Sequence, residues 1–137
     1  MPSQKELLRV AFFGGAVTDA LAILPMLVPS LAQFVWGFDA ASGTYRFAMG
    51  YSASLMLGWT LLLIWAFQRP VERSAVAALT VLVVWGLVLA EIAAAVAGLV
   101  PWWRLVPTWL LQAVLLGLFA AGFHYDRLGR LLCWKRP

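Results

Sequence analysis

The sequence has little of what soluble enzymes and metalloproteins use for chemistry. Among its 137 residues there is one cysteine, Cys133, and one histidine, His124. One cysteine excludes an internal disulfide, and one His with one Cys cannot supply the three or four ligands of a usual metal site. A glycine-rich phosphate loop and a suitably spaced Ser/His/Asp set are missing as well. The sequence therefore predicts no catalytic residue, no metal and no cofactor.

Charged residues are also scarce. They make up 12% of the chain, about half the ~25% of a typical soluble domain. Hydrophobic residues make up 64%, and the mean hydropathy is +0.88. A single domain of this size cannot bury so much apolar surface in water, so we expect a lipid bilayer around it. The net charge of +4 does not indicate nucleic acid, because the basic residues lie at the ends of apolar segments, where they meet anionic headgroups.

Four apolar runs are long enough to cross a ~30 Å hydrocarbon core, which takes about 20 helical residues. They are residues 10–28 (or 10–36), 47–67, 75–100 and 105–123. A segment that crosses lipid must pair its own backbone amides, so each run is predicted to be a helix. The predicted fold is therefore an all-α membrane protein, a single domain formed by a four-transmembrane-helix bundle.

Capping and proline signals bear on where these helices begin. Ser3 and Glu6 have the spacing of a capping box, which predicts that the first helix starts just after Ser3. Pro70 and Pro107 are predicted to occupy the first turns of the third and fourth helices, where proline is tolerated.

The outer end of the first helix is ambiguous. A helix over residues 10–36 would be roughly 40 Å long at 1.5 Å per residue, too long for an untilted span. Pro25 and Pro29 each remove an amide donor, so the helix should depart from ideal geometry between Leu21 and Pro29. Beyond Pro29 the chain either continues as a kinked helix or forms an interfacial or re-entrant segment.

The distribution of Lys and Arg predicts the orientation. Eight of the ten basic residues lie on the side that holds both termini and the second loop: Lys5, Arg9, Arg69, Arg73, Arg127, Arg130, Lys135 and Arg136. Only Arg46 and Arg104 lie on the other side. Short loops rich in basic residues stay in the cytoplasm. We therefore expect a multi-pass protein of the cell (inner) membrane, with both termini cytoplasmic.

Three strongly polar side chains lie well inside the spans: Asp19, Glu91 and Gln112. Because an ionised carboxylate facing lipid costs several kcal/mol, they should point into the bundle. Counting ~1.5 Å per residue from the ends of the runs places Glu91, Gln112 and Thr108 in one layer and Asp19 in a deeper layer. Near the level of Asp19 lie two tryptophans and a threonine: Trp59, Thr60 and Trp85.

These seven residues have two interpretations. In the first, they form a buried acidic site lined by tryptophans, suited to a proton or a hydrophobic cation. In the second, the acids are protonated or hydrogen-bonded contacts between helices. We favour helix contacts for Glu91, which has polar neighbours, and function for Asp19, which has no opposite charge within the spans.

Small residues recur every four positions on two helices. They are Gly50, Ser54 and Gly58 on the second, and Ala113, Gly117 and Ala121 on the fourth. This spacing permits close packing either within the bundle or between protomers. We expect packing within the chain.

One fragment is similar to a known family. The size and four-span plan look like the small multidrug resistance transporters, and residues 14–19, Gly-Gly-Ala-Val-Thr-Asp, resemble the segment of their first helix in which a glutamate follows a Gly-Gly-Ala run. Here the acid is Asp19 and falls one position early, and helices 2 to 4 show no match. No functional assignment is carried over from these six residues.

Three functions fit these observations. The first is binding or transport of a proton-linked or cationic hydrophobic solute, by a homodimer since four short helices enclose little volume. The second is a non-catalytic accessory subunit of a larger membrane complex. The third is a membrane enzyme acting on lipid-soluble substrates.

Overall fold

Five helices make up the part of the chain that the computed structural model describes, residues 3–37 and 42–125. They are α1 (Gln4–Leu27), α2 (Pro29–Trp36), α3 (Gly43–Gln68), α4 (Ala75–Val96) and α5 (Trp102–Phe123). All except α2 are long and apolar enough to cross a membrane. The prediction of an all-helical fold with four membrane-length helices is therefore confirmed. Cys133 and the four basic residues that follow residue 126 lie outside the described residues.

The start of α1 agrees with the sequence, whereas two prolines are not where we expected them. The Ser3 amide donates to the Glu6 carboxylate at 2.8 Å, and the Glu6 amide donates to the Ser3 hydroxyl at 3.3 Å, which completes the capping box.

The predictions for Pro70 and Pro107 are wrong. Helix α4 begins only after the turn that contains Pro70. Helix α5 begins after Pro101, which takes the capping position, so Pro107 lies inside the helix.

The departure predicted at the end of the first helix is confirmed as a break. Pro25 stays within α1, which ends at Leu27. Val28 is extended, with φ −110° and ψ 106°, and Pro29 opens α2 at a position where its missing amide costs nothing. Residues 10–36 are therefore two helices and not one kinked helix.

Helix α2 packs against α1 and α5. The Arg104 guanidinium of α5 donates to the backbone carbonyls of Gln33 and Phe34, each at 3.3 Å. Gly37, which follows α2, has φ +77°, and a Cβ there would lie 2.9 Å from Arg104 Nη1. A cation at a helix C-terminus stabilises its unpaired carbonyls, so Arg104 fastens the end of α2 to α5.

The four long helices run alternately up and down. Helix α1 lies between α3 and α5, α5 also packs against α4, and contacts between α3 and α4 are few. At the end of the bundle where α1 begins, the Gln4 side-chain amide donates to the Gly122 carbonyl of α5 at 3.1 Å. The ends of α1 and α5 that are nearest the two chain termini therefore lie at one end of the bundle, here named the amino-terminal end.

The apolar core lies towards this amino-terminal end. Its buried members are Leu8, Ala11, Phe12, Ala16, Leu63, Ala66, Val76, Ala77, Leu115 and Phe119. They come from all four long helices, and the rings of Phe12 and Phe119 pack with centroids 5.7 Å apart. The last buried residue of α4 is Val84. The half of α4 that follows it, away from the amino-terminal end, therefore makes its contacts mainly with α5.

The close contacts between helices occur at other glycines than those in the four-residue repeats. A Cβ on Gly15 would lie 3.0 Å from Phe119 Cζ, and one on Gly122 would lie 2.6 Å from a Leu8 methyl. No described residue lies within 4 Å of a Cβ built on Gly50, Gly58 or Gly117. The expectation that these three make close packing contacts within the chain is therefore wrong for the described residues, because each leaves room for a side chain.

The outer surface of the bundle is apolar. Large side chains such as Phe34, Phe47 and Val96 are 83%, 78% and 84% exposed. Soluble monomers rarely expose contiguous apolar surface on this scale, whereas a bilayer solvates it. The four long helices are therefore compatible with a multi-pass membrane protein.

Candidate functional site

Glu91 and Gln112 form a hydrogen bond that joins α4 to α5. The Gln112 side-chain amide donates to Glu91 Oε1 at 3.0 Å. Gln112 is buried and Glu91 is partly buried. This is the contact that the matched depth of the two residues predicted. It lies in the half of α4 that has few other contacts, so it helps to hold α4 in place.

Three polar atoms around this bond lack partners among the described residues. They are Glu91 Oε2, Gln112 Oε1 and Trp109 Nε1. The Trp109 indole lies beside the Glu91 carboxyl but makes no hydrogen bond of normal geometry. Sequence reasoning missed Trp109, although it precedes Gln112 by three residues and therefore shares its helical face. The three atoms leave this cluster able to accept and donate further hydrogen bonds.

Asp19 lies on the face of α1 that is turned towards the core. It follows the buried residues Gly15 and Ala16 by four and three positions, and is itself partly buried. Its carboxylate makes no hydrogen bond and no ion pair with any described residue. The described basic side chains lie in connecting turns or within about two turns of helix ends. No cation in this part of the chain is therefore placed to neutralise Asp19.

The register of the helices brings Asp19 to the level of the Glu91–Gln112 pair. On α5, Phe119 packs against Phe12, and Leu115 lies 3.8 Å from a Cβ built on Gly14. In this antiparallel register, Asp19 lies within about one helical turn of the level of Gln112. Counting from the apolar runs placed Asp19 in a separate, deeper layer, which differs from its level in this register. The reason is that helices and apolar runs have different ends: α1 begins six residues before the run 10–28, and α4 ends four residues before the end of the run 75–100.

The remaining predicted site residues fall into two groups. Trp59 packs against the core, and its indole nitrogen is buried without a partner among the described residues. Thr60 beside it is buried and donates to the Met56 carbonyl of its own helix at 2.9 Å. Trp85 is 53% exposed, and Thr108 is partly exposed with no side-chain hydrogen bond to a described residue. The first group, Trp59 and Thr60, is therefore partly or fully buried in the bundle. The second group, Trp85 and Thr108, is exposed or partly exposed.

The contact of Gly15 with Leu63 sets the level of α3. A Cβ on Gly15 would lie 3.1 Å from Leu63 Cδ1, so Asp19, four residues on, lies near the level of Trp59. One layer of the bundle therefore contains Asp19, Trp59, Gln112 and Glu91.

No known family matches. Neither a family model, nor a curated protein, nor a solved structure matches the chain.

The chemistry of this layer, here named the polar layer, follows from its members. It combines two carboxyl groups, one amide and the indole of Trp59, and we include the indole of Trp109, which is less than one helical turn from Gln112. Neither indole N–H group has a partner in the described part of the chain. Within residues 3–37 and 42–125, no three His, Cys, Asp or Glu side chains are grouped as a metal ion would need. Carboxylates and indole rings can together hold a proton or an organic cation.

Proposed function

We propose that this is a small inner-membrane protein whose polar layer binds a proton or a hydrophobic cation in alternation, as a carrier of proton-linked or cationic solutes does. The observation that carries the proposal is the position of Asp19, on the core-facing side of α1 without a hydrogen-bond or ion-pair partner among the described residues. A carboxyl group in the middle of a membrane helix costs roughly 2.5–3.5 kcal/mol even on the lenient insertion scale. Glycine and alanine around it already serve helix packing, so the charge or proton of Asp19 is what remains to be used.

The neighbours of Asp19 suit such a ligand. An indole face attracts an organic cation by roughly 2 kcal/mol or more when the pair is shielded from water. Trp59 lies near its level, and the pair Glu91–Gln112 with Trp109 lies across the same layer. A cation released from Asp19 would be replaced by a proton, which leaves the net charge of the layer the same in both states.

Oligomerisation is part of the proposal. Four helices with a packed core leave little room for a pathway, and no described residue lies within 4 Å of a Cβ built on Gly50 or Gly58 of α3. Glycine faces of this kind allow two helices to approach closely in lipid. A homodimer through α3 would enlarge the space beside the polar layer.

The first prediction concerns binding. Asp19→Asn keeps the size of the side chain and its hydrogen-bonding capacity but cannot ionise. With tetraphenylphosphonium as the probe, binding to the wild type should strengthen as the pH rises, because protons and the cation compete for one carboxylate. In Asp19→Asn the affinity should fall at least about tenfold, equivalent to ~1.4 kcal/mol, and the pH dependence should disappear.

Glu72→Gln is the control for this experiment, because it removes an exposed carboxylate from the turn before α4 and should leave probe binding unchanged.

A second function, the accessory subunit, is favoured by the hydrogen bond between Glu91 and Gln112, which fixes one helix to another. That function replaces ours if the wild type shows no pH-dependent binding and Asp19→Asn lowers stability alone.

The second prediction concerns orientation. Eight of the ten basic residues belong to the two terminal segments of the sequence or to the turn between α3 and α4, so we propose that the amino-terminal end of the bundle faces the cytoplasm. Cys133 is the only thiol and therefore reports on that side. A membrane-impermeant maleimide should leave it unlabelled in intact cells and label it after permeabilisation. Equal labelling before and after permeabilisation would contradict this orientation.

A further inference from the structure

At the amino-terminal end of the bundle, a cleft of about 270 Å³ lies between the first turns of α1 and the turn that joins α3 to α4. Three cations line it, Lys5 and Arg9 from α1 and Arg69 from the turn, together with one carboxylate, Glu72. The Arg69–Glu72 pair, at 3.2 Å, has side chains that are 65% and 69% exposed. Since the carboxylate offsets one cation, the cleft keeps an excess of positive charge.

The basic side chains at this end of the bundle differ in the contacts that they make within the protein. Arg73 donates to the Trp65 carbonyl, and its guanidinium lies 3.7 Å from the centroid of the Trp65 ring. It does not line the cleft. Arg9 has its guanidinium 5.7 Å from the centroid of Phe67. This contact holds the Arg9 side chain over the aromatic surface while its N–H donors remain available to an anion.

An apolar surface continues directly from the cleft. The ring of Phe67 packs against Phe13 at 6.2 Å between centroids. Phe13 and Val10 are 61% and 58% exposed. A charged cleft above an exposed aromatic and aliphatic surface matches the two parts of a phospholipid, a phosphate head and its acyl chains.

We infer that this cleft is a binding site for the phosphodiester head of an anionic phospholipid, with the acyl chains lying along Phe13 and Phe67. The occupant is a lipid and not free phosphate, because the apolar surface below the cations would gain nothing from an inorganic ion. This inference is independent of the function proposed for Asp19, since the two places share no residue.

Native mass spectrometry of the full-length protein tests the site. In detergent with equal amounts of phosphatidylglycerol and phosphatidylcholine, the wild type should retain phosphatidylglycerol preferentially. Each basic side chain near an anionic headgroup contributes roughly fivefold in affinity. The double variant Arg9→Gln/Arg69→Gln should therefore lose about 25-fold of this preference, whereas Arg9→Lys/Arg69→Lys should keep most of it.

Arg46→Gln is the matched control, because Arg46 is an exposed basic residue at the opposite end of the bundle. An equal loss in Arg46→Gln would overturn the site in favour of a general charge effect. A preference that survives Arg9→Gln/Arg69→Gln would place the lipid elsewhere. Displacement of phosphatidylglycerol by millimolar inorganic phosphate would show that the cleft recognises phosphate alone, and would overturn the lipid. Thermal unfolding of each variant confirms that the comparison is made on folded protein.

Discussion

Gly15→Leu is expected to lower the free energy of unfolding by at least roughly 1–3 kcal/mol, the range for overpacked cores. Helices α1, α3 and α5 meet at this residue, where even a Cβ would lie 3.0 Å from Phe119 and 3.1 Å from Leu63. The isobutyl group of leucine has no space without separating the helices. Thermal unfolding in detergent micelles would show the change as a lower midpoint.

Gly117→Leu serves as the control for this result. The same side chain is added to a membrane-length helix, α5, away from the dimer contact proposed for α3, and no described residue lies within 4 Å of a Cβ at Gly117. Its midpoint should remain close to that of the wild type. Equal destabilisation by the two leucines would mean that α1 is not packed between α3 and α5 as described.

The second large effect is expected from the Glu91–Gln112 hydrogen bond. Gln112→Leu removes the hydrogen bond that the Glu91 carboxyl receives from another described helix, at a cost of roughly 1–3 kcal/mol. Glu91→Leu leaves the buried Gln112 amide unpaired in the same way. Replacing both by leucine removes both unpaired groups, so the double variant should be more stable than the sum of the single effects predicts.

A double-mutant cycle measures this coupling. Hydrogen bonds between membrane helices average ~0.6 kcal/mol and reach ~1.7 kcal/mol, and we expect a value in the upper half of that range. Thr108→Ala, on the same helix and without a side-chain hydrogen bond to a described residue, should cost little. Strictly additive single effects would show that the hydrogen bond contributes nothing to the stability of the bundle.

The number and kind of the helices could be predicted from the sequence because a bilayer permits few alternatives. Each apolar run had to be a helix to pair its own amides. The break at Val28 followed from the missing amide and the steric bulk of Pro29, and the start of α1 from the spacing of Ser3 and Glu6. These are local effects that a few neighbouring residues determine.

The relations between helices could not be predicted in the same way. Apolar runs do not end where helices end, so depths counted from the runs placed Asp19 and Glu91 in different layers. Small residues likewise do not tell which face meets a neighbour. Gly15 and Gly122 make the close contacts, whereas no described residue lies within 4 Å of a Cβ built on Gly50 or Gly58. In lipid, exposing a helix face that contains glycine carries no hydrophobic penalty, so the sequence gives no sign of which face is exposed.

The most direct measurement is the ionisation of Asp19 itself, because the function proposed here depends on it. The chain has only three aspartates, Asp19, Asp39 and Asp126, so ¹³C labelling of the aspartate carboxyls gives three resonances in lipid bilayers, and Asp19→Asn identifies one of them. We predict that this resonance titrates, and that tetraphenylphosphonium at constant pH converts it from the protonated to the ionised form while a proton is released. A resonance that responds neither to pH nor to the cation would contradict the account.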